Sequence, residues 1–158
     1  MIPRPTANVL AALALLLQAG AAASATLSGL VVGVADGDTV MLLDDQRQQH
    51  KIRVSGIDAL EKAQPFGNRS KQHLSYLVYS KVVTIDYTKR DRYGRIVGKI
   101  WVAPGDTCPS ASPDCPRTLD AGLALITVGL AWHYKQYERE QSEEDRQRYG
   151  FAETEAKS

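Results

Sequence analysis

Five short runs of β-branched and aliphatic residues, each closed by a turn signal, constrain this chain more than anything else in it. Residues 26–45, TLSGLVVGVADGDTVMLLDD, hold two of them, parted by Asp36-Gly37-Asp38. Asp-Gly between β-branched runs marks a hairpin, because a tight turn with positive φ matches the twist of the strands it joins. A third run follows at 49–55, a fourth, VVTIDYT, at 82–88, and a fifth, GRIVGKIWVA, at 94–103. Between the third and fourth, in FGNRSKQHLSYLVYS (66–80), Leu74, Leu77 and Val78 have helical spacing. Further on, Leu119, Leu123, Ile126 and Leu130 step by four, three and four and predict an amphipathic helix with Gly129 near its end. A last helix is predicted from Ser142, with Asp145 as its capping partner and Tyr149, Ala152 and Ala156 on one side.

Five strands, a helix after the third and helices at the end predict a β-rich α+β domain. The expected architecture is a five-stranded OB-fold barrel, the oligonucleotide/oligosaccharide-binding kind, with three α-helices over residues 26–158. The length, 158 residues, suits one such domain with a real core. A barrel of this kind binds ligands on one face, but the fold alone names no function.

The first 25 residues read differently. They carry one early cation, Arg4, then an unbroken apolar run from Val9 to Leu17, and end in Ala23-Ser24-Ala25. That is the pattern of a secretory signal peptide cleaved after Ala25, which implies a secreted or periplasmic protein with no membrane attachment afterwards. The rival reading, an uncleaved anchor, needs about 20 apolar residues, and Gln18 interrupts the run early. Cleavage removes Arg4 and no acid, which leaves as many basic side chains as the 18 acidic ones. A strongly basic, DNA-coating protein is thereby excluded, and any affinity for a polyanion has to come from a local cluster of cations. Cys108 and Cys115, the two cysteines, bracket a loop rich in proline and serine. In an oxidising compartment they are expected to pair as a disulfide; zinc, which wants four regularly spaced ligands, is not indicated.

Four clusters bear on chemistry, and each has a plain alternative. DGDT (36–39) needs nothing beyond a turn, yet Asp38, just past it, offers an oxygen to a hard cation. IRVSGIDALE (52–61) is a strand end and loop that also gathers Arg53, Asp58 as a second metal ligand, and Glu61 as a base. DRYGR (91–95) is a basic hairpin turn in which Arg95 can grip a phosphate bidentately and Arg92 a neighbouring one. GLAWHYKQYE (129–138) places Trp132, Tyr134 and Tyr137 after a helix, where they serve as core or rim or stack on a base. Together these supply what phosphodiester hydrolysis needs: an activated water, a cation near the phosphate, and donors for the charge on its oxygens. Two aspartates suit calcium, which accepts carboxylates, carbonyls and water. With no histidine or thiol ligand on offer, a softer metal is disfavoured.

In order and rough spacing, DGDT, IRVSGIDALE, FG, DRYGR and GLAWHYKQY resemble the staphylococcal-nuclease (thermonuclease) family over about residues 27–155. The resemblance implies a five-stranded barrel with three helices and a calcium-dependent nuclease of DNA and RNA that leaves 3′-phosphates. It implies Asp38 and Asp58 as calcium ligands with the Ala59 carbonyl, Arg53 and Arg95 as phosphate-binding catalytic arginines, and Glu61 as general base. Arg92, Tyr134 and Tyr137 match substrate-binding positions. The expected substrate is single-stranded or locally melted DNA and RNA, and the expected state a monomer with no stable protein partner. The alternative is a non-catalytic nucleic-acid- or protein-binding module of the same family, against which stands the retention of Asp38, Asp58, Glu61, Arg53 and Arg95 together. One position departs from the family: Leu60 stands where many members carry proline, freeing a loop that holds both the metal ligand and the base. His50, His73 and His133 read as surface or packing residues, and the chain end at Lys157-Ser158 is expected to fray.

Overall fold

The computed structural model describes residues 23–61, 63–105, 108, 112 and 114–158. The expected leader lies outside the described residues except for its last three positions.

The two apolar runs at the start form strands β1 (Ala25–Asp36) and β2 (Thr39–Leu43). The third, fourth and fifth runs form β3 (Gln49–Val54), β5 (Val82–Arg90) and β6 (Ile96–Val102). These five strands lie in the order β3-β2-β1-β5-β6, and β3 also pairs with β6, so the sheet closes into a five-stranded barrel with no free edge between them. Every neighbouring pair is antiparallel except the closing one, β3 on β6, which is parallel. β1 is long enough to serve two neighbours: Ala25–Leu30 pair with β5, and Leu30–Asp36 pair with β2. Register shifts at Val31/Gly33 and Val34/Asp36 bend it between those duties, as bulges do at barrel corners.

Alternation fills the interior. Val31, Val40, Ile52, Ile85, Ile96 and Ile100 are fully buried, each burial stabilising by about 1.5–3 kcal/mol. Helix α1 (Gly67–Val78) covers one side with Leu74, Leu77 and Val78. Helix α3 (Glu143–Lys157) follows an N-cap in which Ser142 Oγ accepts from the Asp145 N–H at 3.1 Å. The Asp145 side chain does not return the bond; it takes the Lys99 ammonium at 2.6 Å. Tyr149 and Ala152 of α3 are buried as expected, whereas Ala156 is exposed, and the helix holds through Lys157.

The helix expected around residues 119–130 is shorter than its periodicity suggests. Helix α2 covers only Ala121–Thr127. Asp120 caps it by accepting from the Leu123 N–H at 3.1 Å, and Gly129, with φ 73°, ends it. Leu119 falls instead in a two-residue strand, β7 (Leu119–Asp120), against Val102 and Trp101 of β6. An aliphatic residue can face the same core from a strand, so the spacing overran the helix at both ends. Two features escaped the sequence reading: the ribbon of β4 (Ile57–Ala59) on β8 (Ala131–His133), and a 3-10 helix at Lys135–Glu140. Cys108 and Cys115 are joined, with Cα atoms 5.9 Å apart.

Candidate active site

The hairpin turn between β1 and β2 brings the first acids into place. Asp36 pairs with Thr39, so Gly37 and Asp38 form a two-residue loop, and Asp38 sits in the turn rather than just past it. The turn lies hard against its neighbours. A Cβ on Gly37 would come within 2.6 Å of the Ser70 Cβ on α1 and 2.8 Å of the Ala59 Cβ, which only glycine avoids. Asp36 Oδ1 accepts from the Asp38 N–H at 3.1 Å, and the Thr39 hydroxyl donates to Asp38 Oδ1 at 2.9 Å.

Strand pairing delivers the arginines. Thr39 of β2 stands opposite Arg53 of β3, which brings Asp38 beside that guanidinium: Nη2 lies 3.3 Å from Asp38 Oδ2. The same Nη2 is 3.9 Å from Asp58 Oδ1, while Nη1 donates to the Val54 carbonyl at 2.6 Å. The parallel seam then sets Arg53 against Val97, two residues beyond Arg95. Asp58 and Ala59 come from β4, held by pairing with Trp132 and Ala131 of β8.

The result is one open polar cleft of about 240 Å³ lined by Asp38, Arg53, Asp58, Ala59, Leu60, Glu61 and Arg95, with Asp36 and Gly37. All three residues expected to be catalytic and all three expected to hold metal are therefore on its wall. Glu61 is exposed, its N–H donating to Gln64 Oε1 at 2.9 Å. Arg95 is oriented from behind: Asp91 Oδ2 accepts from its Nε at 2.7 Å, and Asp91 Oδ1 from its backbone N–H at 3.0 Å. That leaves the guanidinium terminal nitrogens uncommitted to Asp91. Burial works to raise the Asp91 carboxyl, but Arg95 and the Arg95 and Tyr93 backbone N–H groups hold it below its ordinary value.

The expected substrate-binding residues lie around this wall rather than on it. Tyr134 places its ring 6.0 Å from the Arg53 guanidinium carbon, and Tyr137 meets it edge to face at 5.4 Å between ring centres. The Tyr134 N–H donates to the Gly56 carbonyl at 2.9 Å, which ties that segment to the loop before β4. Arg92 stands at the tip of the β5–β6 hairpin, donating to the Tyr93 hydroxyl at 2.8 Å. His133, buried, is a structural hub: its ring meets Gln141 Oε1 at 2.7 Å and Lys135 Nζ at 2.9 Å. His50 pairs with Asp44 at 2.7 Å, outside the cleft.

The cleft is short of positive charge. Burial pushes the Asp38 carboxyl up to about 6; Arg53 opposes this, and the neighbouring Asp36 reinforces it. Among the described residues, no three acidic, histidine or cysteine side chains surround one point as a finished metal cage. The donors that Asp38, Asp58 and the Ala59 backbone bring to the cleft are all oxygens, and they suit a hard cation that fills its shell with water. Asp36 and Asp91 were the site residues that sequence reasoning left out. Both were visible as the first letters of DGDT and DRYGR, each at the start of a tight turn where a carboxylate accepts local N–H groups.

Residues 51–158 match the family described as staphylococcal nuclease homologue. A protein of Escherichia coli named ParB is 41% identical over 125 residues, 79% of this chain and 67% of that protein. An uncharacterized endonuclease of Escherichia coli is 37% identical over 113 residues, 72% of this chain and 65% of its own length. A micrococcal nuclease of Shigella flexneri is 33% identical over 127 residues, 80% of this chain and 69% of that enzyme. The chain belongs to the staphylococcal nuclease family, and it spans about two thirds of the length of these relatives.

Proposed function

We infer that this member of the staphylococcal nuclease family is a calcium-dependent nuclease. It hydrolyses phosphodiester bonds of single-stranded or locally melted DNA and RNA, leaves 3′-phosphates, and works outside the cytoplasm. The observation that carries the reading is the convergence of Arg53, Arg95, Asp38, Asp58 and an exposed Glu61 on one cleft. Nuclease-named relatives of Escherichia coli and Shigella flexneri support it. The leader pattern supports an extracytoplasmic site of action.

Asp38, Asp58 and the Ala59 carbonyl would hold calcium, which when bound supplies positive charge to the phosphate and acidifies a nearby water. Arg53 and Arg95 grip the scissile phosphate, and Asp91 fixes the angle of the second guanidinium. Glu61, exposed at the mouth, takes a proton from the water that attacks phosphorus in line. The P–O5′ bond breaks as the new P–O bond forms, the 5′-oxygen leaves and takes up a proton from solvent, and charge on the phosphoryl oxygens is met by donors already in place. Tyr134 and Tyr137 border the neighbouring nucleotide.

Incubation with single-stranded DNA tests this directly. Cleavage is expected with calcium, none with chelator, and a large loss in Glu61→Gln. Undiminished cleavage in chelator, or in that variant, would overturn the mechanism. Recovery outside the cytoplasm of a protein that begins at Thr26 on terminal sequencing supports the location and the cleavage; recovery only from the cytoplasm, with Met1 retained, counts against both.

A further inference from the structure

Away from the cleft, α1 carries a surface the reaction does not use. From Lys62 to Ile85 the sequence holds no acidic residue, and it holds Lys62, Arg69, Lys71 and Lys81. In a chain of net charge +1 this is a local concentration of cations of the kind that attracts a polyanion.

The cations alternate with exposed rings. Arg69, His73 and Tyr76 step by four and three, which stacks them along one side of α1, and Phe66 stands at its N-terminal cap. The other side, with Leu74, Leu77 and Val78, is buried. The Arg69 guanidinium lies 5.1 Å from the Phe66 ring centre, and the Lys81 ammonium 5.9 Å from that of Tyr76. His73 and Tyr76 approach at 6.2 Å. Phe66 is 57% and Tyr76 74% exposed. Phe66 also holds a φ of 68°, an unfavourable conformation for so bulky a residue. Among the described residues, Arg69, Lys71 and Lys81 take no part in the ion pairs, so no acid neutralises them.

We propose that this stripe is a second binding track for single-stranded nucleic acid, which stacks bases on Phe66 and Tyr76 and holds phosphates with Arg69 and Lys81. Rings tolerate any base, and paired cations follow the backbone, so the track is indifferent to sequence. It is joined to the cleft by a short, bonded segment. The Glu61 N–H donates to Gln64 Oε1, and the Gly67 N–H, the first of α1, donates to the Gln64 carbonyl at 3.0 Å. Strand held on α1 is thereby kept near the base. The proposal deepens the nuclease reading and rests on it for its purpose, but its test needs no cleavage.

Binding is measured in chelator by fluorescence anisotropy, with labelled single-stranded DNA of about 20 nucleotides and a short probe of about three. Tyr76→Ala is expected to weaken the long strand about tenfold and leave the short probe unchanged. Tyr76→Phe, which keeps the ring, is expected to bind like the parent and shows that the loss is one of stacking. Arg69→Ala with Lys81→Ala is expected to weaken the long strand and lower its salt slope by about 1.4. Parental affinity for the long strand in these variants overturns the proposal. Loss of binding to phosphatidylserine vesicles with DNA affinity intact also overturns it, in favour of a membrane surface. A protein that binds through the stripe but cleaves nothing sinks the nuclease reading and keeps the track; cleavage with stripe-independent binding does the reverse.

Discussion

Arg95 shows how much a single side chain depends on what stands behind it. Asp91 occupies its Nε and backbone N–H, so the guanidinium faces the cleft with its orientation set before substrate arrives. Arg95→Ala is expected to lower turnover by about 10²–10³, in line with the loss of an oxyanion donor. Initial rates on single-stranded DNA check this, and a rate within about threefold of the parent would remove Arg95 from the mechanism. Leu60 is the complementary case. β4 already holds Ala59 extended, so the demand a proline makes on its predecessor is met. Leu60→Pro is expected to stabilise the loop by about 0.4–1 kcal/mol and to raise either the rate or the calcium affinity. Thermal melts, calcium titrations and rates compare the two proteins, and equal values in all three would refute the idea.

Among the elements, those with one dominant signal were legible and those made by long-range pairing were not. The barrel strands announced themselves by β-branched runs between turns, and α1 and α3 by spacing and a cap. The site was legible for a related reason: Asp38, Arg53, Asp58, Glu61 and Arg95 all stand at or near strand ends, where short motifs record them. The β4–β8 ribbon was hidden, because three-residue strands have no periodicity and Asp58 meets Trp132 only across the fold. Asp91 was overlooked because its neighbours carry the charge that draws the eye. α3 is fastened to that ribbon by Glu153, which accepts from the His133 N–H at 3.1 Å and faces Lys135 and Lys157. Burial works to raise the Glu153 carboxyl, but the His133 N–H and Lys135, with Lys157, hold it below its ordinary 4.5. A depressed carboxylate stabilises the fold above its ordinary pKa and loses that contribution as pH falls through the folded value. Glu153→Gln is therefore expected to lose about 1 kcal/mol, or about 3 °C in Tm, at neutral pH. The gap should close on acidification below 4.5. A gap that widens in acid would contradict the assignment.

Across the whole molecule, the barrel separates two jobs at opposite ends of β6. Ile96 begins the strand beside the cleft, and Val102 ends it near the Cys108–Cys115 loop. The disulfide shares no lining residue with the cleft. A ring this small contributes about 2.5 kcal/mol in the chain-entropy account. Cys108→Ser with Cys115→Ser is expected to lower Tm yet leave kcat within about twofold, since that change acts on the unfolded chain. A lost kcat with unchanged Tm would mean that the staple reaches the site.

The closing seam of β3 on β6 has one more consequence. It is the sole parallel contact of the barrel, and it pairs the strand bearing Arg53 directly with the strand that Arg95 precedes. A fluctuation that unzips it parts the two guanidinium groups that line the cleft. Amide exchange at Ser55, whose N–H donates to the Gly98 carbonyl across that seam at 2.9 Å, should thus report how often the two arginines part, long before any melting is visible.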